Sequence, residues 1–196
     1  MNSIFQSPRI IKESNTGYFD CRIQDEMFTK RQIQCLGEIN SESVNELILQ
    51  FQYLYQLDSD KEITMYINSP GGEVSSGLAL YDVMKAISCP VRTVCVGTAA
   101  SMGAVLFAAG DKRDILPHGR VMIHDPLIAG GVGGSALQIQ SISNSLIKTR
   151  EIIGTILAEH THKSLEEIYE KTAKDTYFYA EEAVEFGLAD NIITHL

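Results

Sequence analysis

The sequence predicts an α/β fold built on a mainly parallel sheet. Three strand-like runs each end at glycine: the first at Gly37, the second at Gly71 and Gly72, and the third at Gly97. Their ends lie about thirty residues apart, which is the length of one strand, one turn and one crossover helix. Because the segments between them have the helical spacing of apolar residues, the chain is expected to repeat a strand-and-helix unit.

Both intervening segments are predicted to be amphipathic helices. In residues 44–55 the apolar side chains follow the i, i+3, i+4, i+7 pattern, and Ser43 and Glu46 stand at the spacing of a capping box that would open this helix. Residues 80–87 repeat the apolar pattern, and Pro90 is expected to stop the second helix.

The second half of the chain is predicted to alternate short elements with one long helix. In chain order the expected elements are an apolar helix after Ser101 that ends at Gly110, two short strands around a turn at 117–119, a glycine-rich loop GGVGG, a long helix over 135–161, a helix opened by the capping box Ser164 and Glu167 and running towards Lys174, and a closing helix and strand over 180–196. No linker, low-complexity block or solenoid repeat interrupts this order, so one compact domain is expected.

The first half of the long helix carries no charge, since it reads SALQIQSISNSL. A solvated helix face usually carries charge, so this composition favours a surface that contacts another protein chain. An ordinary core helix is the competing interpretation, and periodicity does not choose between the two.

Composition narrows the class of protein. The 196 residues carry a net charge of −9 and show no cluster of Lys and Arg, which argues against a nucleic-acid surface. The four cysteines form no CxxC pair and are interpreted as reduced thiols. The first twenty residues offer neither a signal-peptide core nor an apolar span of about 20 residues, so a cytoplasmic protein is expected.

Ser101 is the first candidate for chemistry, because it lies among small residues where an apolar strand is predicted to meet an apolar helix. Unpaired backbone amides and the positive end of the helix dipole would stabilise an anion there. The amides of Gly72 and Met102 are the predicted donors of an oxyanion hole. A plain helix N-cap is the competing role for Ser101. The stretch NSPGG lacks the GK[ST] ending of a phosphate loop.

His124 is the candidate base, since it follows an apolar run and precedes Pro126 by two positions. The other four histidines stand in a turn, at a helix end or at the C-terminus and are interpreted as solvated: His118, His160, His162 and His195. An imidazole that activates a serine needs a carboxylate partner. Asp175 is a candidate, and spacing leaves four others open: Asp111, Asp114, Asp125 and Asp190.

Five stretches resemble the proteolytic subunit of the Clp ATP-dependent protease: INSPGG (67–72), AASMGAVLFAAG (99–110), RVMIHDP (120–126), ILAEHTHKSLEEI (156–168) and AEEAVEFGLAD (180–190). The resemblance runs from about residue 30 to the C-terminus. It implies a crotonase-like ββα spiral over residues 30–196 with a protruding handle at about 126–161, preceded by an axial-loop segment at 1–29. It also implies a serine endopeptidase triad of Ser101, His124 and Asp175, with Gly72 and Met102 donating to the oxyanion.

The resemblance implies partners as well. These are a homo-oligomer of two stacked heptamers, an unfolded polypeptide substrate, and an AAA+ unfoldase of the ClpX, ClpA or ClpC type that docks at Tyr66, Val94 and Val96. No metal, organic cofactor, nucleic acid or membrane is implied.

Several positions depart from the usual pattern of that family. Asp125 stands where Gln is common, Ala173 and Lys174 replace an acidic and basic pair, and Ala86 replaces an aromatic residue. These departures keep open a weakly active ring subunit that needs a partner isoform. A crotonase-type acyl-CoA enzyme is the other alternative, because it would share the fold and an oxyanion hole.

Overall fold

A computed structural model describes residues 8–128 and 130–196 of the chain. Within these residues the strands are β1 (Arg9–Ser14), β2 (Gly17–Arg22), β3 (Gln32–Ile39), β4 (Ile63–Gly72), β5 (Val91–Ala100), β6 (Lys112–Ile115), β7 (Arg120–Ile123), β8 (Thr176–Tyr179) and β9 (Asn191–Ile192). The helices are α1 (Ile23–Thr29), α2 (Ser41–Leu57), α3 (Val74–Ala86), α4 (Met102–Ala108), α5 (Ala136–Thr161), α6 (Leu165–Thr172) and α7 (Ala180–Phe186).

The main sheet has seven strands and is mostly parallel, which confirms the predicted fold class. Strands β3, β4, β5, β6 and β9 form its continuous path, while β7 pairs with the far end of β5 and with β8. The β7–β8 pair is antiparallel and the other pairs of this sheet are parallel. Strands β6 and β7 both run along β5, so the two strands around the predicted turn are not a hairpin.

Two strands continue past the glycine at which the sequence predicts their end. Strand β3 extends beyond Gly37, where its register with β4 shifts, and β5 extends beyond Gly97, where its register with β4 also shifts. These glycines therefore mark irregularities inside strands, a common position for glycine. The consequence for the site is that β5 carries the chain directly to Ser101.

The first capping prediction is wrong and the second is confirmed. Helix α2 begins earlier than predicted, because the Asn40 side chain accepts the Ser43 amide at 3.0 Å and the Ser43 hydroxyl accepts the Asn40 amide at 3.1 Å. At α6 the Ser164 hydroxyl accepts the Glu167 amide, as the sequence predicts.

In the described residues one hydrophobic core lies between the main sheet and helices α2 to α7. All seven residues of α4 are buried, which explains why this helix is apolar on every side. Strands β4, β5 and β7 and helices α3 and α5 pack against α4, so the helix that follows Ser101 is held in place from several sides.

Helix α5 changes character along its length. Every residue from 136 to 145 is exposed, whereas Ile153, Ile156 and Leu157 are buried. The core-helix interpretation of the uncharged half is therefore wrong, and this half protrudes. Among the described helices none combines the length and apolar content needed to cross a bilayer.

The predicted N-terminal segment, 1–29, is only partly covered, since its first seven residues lie outside the described residues. Strands β1 and β2 form a separate two-stranded sheet, and α1 follows them. The boundary predicted at residue 30 stays a prediction.

Arg31 is a buried cation whose partners are backbone carbonyls. Its guanidinium donates to the carbonyl oxygens of Leu54 (2.8 Å), Asp58 (3.0 Å), Lys61 (2.8 Å) and Glu62 (3.1 Å). Two of these carbonyls belong to the C-terminal end of α2, where a cation is favoured by the helix dipole. We expect Arg31→Met to lower the free energy of unfolding by about 3 kcal/mol, because it removes the guanidinium donors from four carbonyls and inserts no group that could replace them.

Urea unfolding followed by far-UV circular dichroism measures this effect. Arg22→Met is the matched control, because Arg22 is exposed and its ion pair with Asp25 is exposed as well. Equal unfolding midpoints for the two variants would contradict the role assigned to Arg31.

Candidate active site

Ser101 occupies a strained turn between β5 and α4. Its φ of 54° and ψ of −123° are unusual for a residue other than glycine. The turn is pinned because the Ser101 amide donates to the Met122 carbonyl at 2.8 Å and the Ser101 carbonyl accepts the Ala104 amide at 2.9 Å. A sharp strand-to-helix turn of this kind exposes a nucleophile, although the sequence lacks the leading glycine of GxSxG.

The Ser101 hydroxyl does not cap the helix. It makes no hydrogen bond to the first amides of α4, so the interpretation of Ser101 as a plain N-cap is wrong. Its oxygen instead lies 2.8 Å from Nε2 of His124.

His124 connects Ser101 to Asp175. Its Nδ1 lies 3.0 Å from Oδ1 of Asp175. Because a carboxylate only accepts hydrogen bonds, Nδ1 carries the proton and Nε2 is left to accept the serine hydroxyl. The imidazole is mostly buried, with 16% of its side chain exposed, whereas 59% of the Asp175 side chain is exposed. The structure therefore brings the three predicted side chains into one hydrogen-bonded series.

Strand pairing explains why Asp175, and not another carboxylate, meets His124. Strands β7 and β8 are antiparallel with Ile123 opposite Thr176, and these two residues directly flank His124 and Asp175. The four competing carboxylates bond elsewhere: Asp111 to the Val91 amide, Asp114 to Arg92, Asp125 to Arg150 and Asp190 to Arg113. Sequence spacing carries no information on this register.

The end of β4 lies against Ser101. A Cβ atom placed on Gly71 would stand 2.6 Å from the Ala100 carbonyl oxygen, 2.6 Å from Cβ of Ser101 and 3.1 Å from the Met102 nitrogen. Gly71 also has a φ of 94°, which favours glycine. The predicted proximity of NSPGG to Ser101 is thus present in the structure.

The two predicted oxyanion donors are the amides of Gly72 and Met102. Gly72 directly follows Gly71 at the end of β4, and Met102 directly follows Ser101. The Met102 amide begins α4 and donates to no acceptor among the described residues. The Glu73 amide donates to the Ile39 carbonyl of β3 at 2.7 Å. Because successive amides of a strand point in opposite directions, the Gly72 amide is expected to face away from β3 and towards Ser101.

An apolar cleft, which the residue pattern does not directly predict, adjoins Ser101 and His124. Its lining comes from three helices, one strand and the residue that follows Asp125: Val74, Met102, Val105, Ile123, Pro126, Ile153 and Leu157. The free space in the cleft is about 20 Å³. The only sequence signal is the apolar spacing of Ile153 and Leu157 on α5.

The predicted docking residues lie on the face of the sheet opposite the core helices. Tyr66 and Val96 line a surface depression of about 360 Å³ together with Met27 and Leu196. Val94 pairs with Tyr66 across the two strands and has 0% of its surface exposed, so it is not itself a contact residue in this chain.

His160 is not the solvated histidine that its place at a helix end predicts. Its Nε2 lies 3.3 Å from the Tyr81 hydroxyl, and the two rings pack edge to face. Burial lowers the pKa of its imidazole, and the positive charges of Lys85 and Arg113 lower that pKa further.

The cysteines are unpaired, in agreement with reduced thiols. Burial raises the pKa of the Cys35 and Cys95 thiols to about 11, so both stay protonated at neutral pH and are poor nucleophiles. Across residues 8–128 and 130–196, no group of His, Cys, Asp and Glu side chains has the arrangement of a metal site.

A comparison with protein-family models gives a match over most of the chain. The model described as Clp protease matches residues 16–196. The matched span contains every residue of the site described above.

Proposed function

The chain belongs to the Clp protease family, and from this premise we propose that it is a serine endopeptidase that cleaves unfolded polypeptides inside a closed chamber. Family membership gives the fold its type, the crotonase-like spiral, and makes the chain a peptidase. The observation that carries the finer proposal is the hydrogen-bonded series of Ser101, His124 and Asp175, with atom separations of 2.8 and 3.0 Å.

The proposed reaction is acyl transfer through Ser101. As the Ser101 oxygen bonds to the peptide carbonyl carbon, its proton passes to Nε2 of His124, and Asp175 stabilises the imidazolium through Nδ1. The carbonyl oxygen becomes an oxyanion that accepts hydrogen bonds from the Gly72 and Met102 amides. His124 then protonates the leaving amine as the C–N bond breaks, and water releases the acyl group by the reverse sequence.

The apolar cleft supports a substrate preference. Its lining offers no charged side chain, so an apolar residue on the acyl side of the cleaved bond would remove apolar surface from water. We therefore propose that bonds following apolar residues are cleaved fastest.

The protruding half of α5 supports assembly. Its uncharged, fully exposed surface includes Leu137, which is 77% exposed, and apolar patches of this kind mark contacts between proteins. We propose that this half forms the handle by which two heptameric rings stack. Ala173 and Lys174 lie exposed beyond α6, where the family's usual ionic pair would stand, so the rings are held mainly by the handle.

An AAA+ unfoldase is the proposed partner that supplies the unfolded chains. The depression lined by Tyr66 and Val96 is the proposed docking surface. ATP is assigned to that partner, because this sequence contains no phosphate loop. The proposed location is the cytoplasm.

The family match does not favour the two alternatives. Acyl-CoA chemistry has no need of a serine hydroxyl bonded to an imidazole. One reason for an inactive ring subunit was the charge of Asp125 beside His124, yet the Asp125 carboxylate bonds to Arg150 and Thr172 instead of the imidazole.

Native mass spectrometry of the purified chain, combined with an assay on a permanently unfolded protein, tests the proposal. The expected result is a particle of fourteen chains that hydrolyses the unfolded protein without any second subunit. Single rings that gain activity only after a second isoform is added would contradict the homomeric form. A particle that binds acyl-CoA and hydrolyses no peptide would contradict the peptidase itself.

A further inference from the structure

Asp125 connects the segment that carries the catalytic imidazole to two helices, α5 and α6. Its carboxylate Oδ2 lies 2.6 Å from Nε of Arg150 on α5, and the Thr172 hydroxyl at the end of α6 donates to its other oxygen. The Asp125 amide donates to the Thr172 carbonyl at 2.8 Å. Because Asp125 directly follows His124, these contacts join the His124 segment to both helices.

Arg150 is fixed from its other side as well. Its guanidinium carbon lies 3.7 Å from the centre of the Tyr169 ring, a cation–π contact that the guanidinium makes in addition to the bond from Nε to Asp125. About one third of each side chain of the ion pair is exposed, 35% for Arg150 and 33% for Asp125. The Arg150 guanidinium has little conformational freedom, because the Tyr169 ring and the Asp125 carboxylate both contact it. The ion pair is therefore a rigid connection between α5 and the His124 segment.

The pair connects two walls of the apolar cleft. Arg150, Ile153 and Leu157 stand at i, i+3 and i+7, which places them on one face of α5. Ile153 and Leu157 form the α5 wall of the cleft, and Pro126, which follows Asp125 in the chain, contributes another part of the lining. Any separation of these walls must therefore stretch the contact between Asp125 and Arg150.

We propose that the ion pair of Asp125 and Arg150 is a positioning clamp that keeps the cleft narrow and so limits the size of the side chain that the cleft accepts. The proposal rests on the proposed peptidase function. The free space of about 20 Å³ holds about one water molecule. A bulky side chain must push α5 away, and the clamp opposes that movement.

Two fluorogenic peptides that differ only in the residue whose carbonyl is attacked, alanine or phenylalanine, test the clamp. Arg150→Met keeps the apolar stem and removes the charge. It is expected to raise the phenylalanine-to-alanine ratio of kcat/KM about tenfold, mainly through a lower KM for the phenylalanine peptide. Arg150→Lys keeps a cation within reach of Asp125 and is expected to stay nearer the wild-type ratio.

A second variant and a control make the test robust against misfolding. Asp125→Asn is nearly isosteric and is expected to raise the ratio in the same direction. Glu159→Gln removes a charge from the same helix at an exposed position that makes no hydrogen bond or ion pair among the described residues, so its ratio is expected to match wild type.

Labelling with a small fluorophosphonate separates the clamp from a general structural role. Because this probe does not fill the cleft, its rate with Arg150→Met is expected to stay within about threefold of wild type. An unchanged or lower ratio, or an equal loss of labelling and of both peptidase activities, would overturn the clamp while the wild type remains an active peptidase. A wild type that neither labels nor cleaves would overturn the proposed function and the clamp together.

Discussion

Ser101→Ala is expected to lower kcat for peptide hydrolysis by about 10⁶-fold, the loss seen when the nucleophile of a serine triad is removed. No other hydroxyl in the described residues bonds to His124. The fold is expected to persist, because the hydroxyl makes one hydrogen bond and does not cap α4, so the free energy of unfolding should change by less than about 1 kcal/mol.

Steady-state hydrolysis of a fluorogenic peptide, with thermal unfolding of the same samples, measures both effects. Ser75→Ala is the matched control, since Ser75 is exposed on α3 and, within the described part of the chain, its hydroxyl bonds only to Glu73. Turnover by Ser101→Ala within a hundredfold of wild type would exclude Ser101 as the nucleophile.

Gly71→Ala is expected to lower kcat by about 10²- to 10³-fold, the cost of losing an oxyanion donor. The new Cβ would meet the Ala100 carbonyl oxygen and Cβ of Ser101 at 2.6 Å, and both neighbours belong to a turn that is already pinned. The end of β4 must therefore move away from Ser101 and take the Gly72 amide with it. A displacement of about 1 Å is enough for such a loss.

Gly37→Ala separates this steric effect from backbone strain. Gly37 also has a positive φ, 77°, but an added Cβ there meets nothing within 4 Å. The Gly37→Ala variant is expected to have a lower thermal stability, while its kcat stays near that of the wild type. An equal loss of kcat in Gly71→Ala and Gly37→Ala would contradict the claim that the reaction depends on the close approach of β4 to Ser101.

The strand-and-helix repeat was predictable because it follows from local patterns. Apolar spacing placed α2 and α3, and the apolar residues after Ser101 placed α4. The ends of the strands were harder to predict, because a glycine such as Gly37 or Gly97 is equally compatible with the end of a strand and with an irregularity inside it. Only pairing with β4 decides between these outcomes. The start of α2 moved because Asn40 and Ser43 form the capping box with each other, each side chain accepting the other residue's amide, so Ser43 lies inside the helix and does not open it.

The sequence was enough to predict which types of residue form the site, but not how those residues are arranged in space. Ser101 and His124 stood out by their local surroundings, whereas the choice of Asp175 depends on the register of β7 with β8. Three features of the site depend on contacts between residues that are far apart in the chain. They are the strained turn at Ser101, the apolar cleft, and the bond between Asp125 and Arg150. Residue types alone carry no signal for such contacts.

Mass-spectrometric mapping of the adduct formed with a fluorophosphonate tests the central claim most directly. The expected result is one adduct per chain on Ser101 in the assembled wild-type protein, and a loss of that adduct in His124→Ala, because the hydroxyl is activated only by the imidazole that accepts its proton. An adduct on a different residue, or undiminished labelling of Ser101 in His124→Ala, would contradict a site in which Ser101, His124 and Asp175 act as one unit.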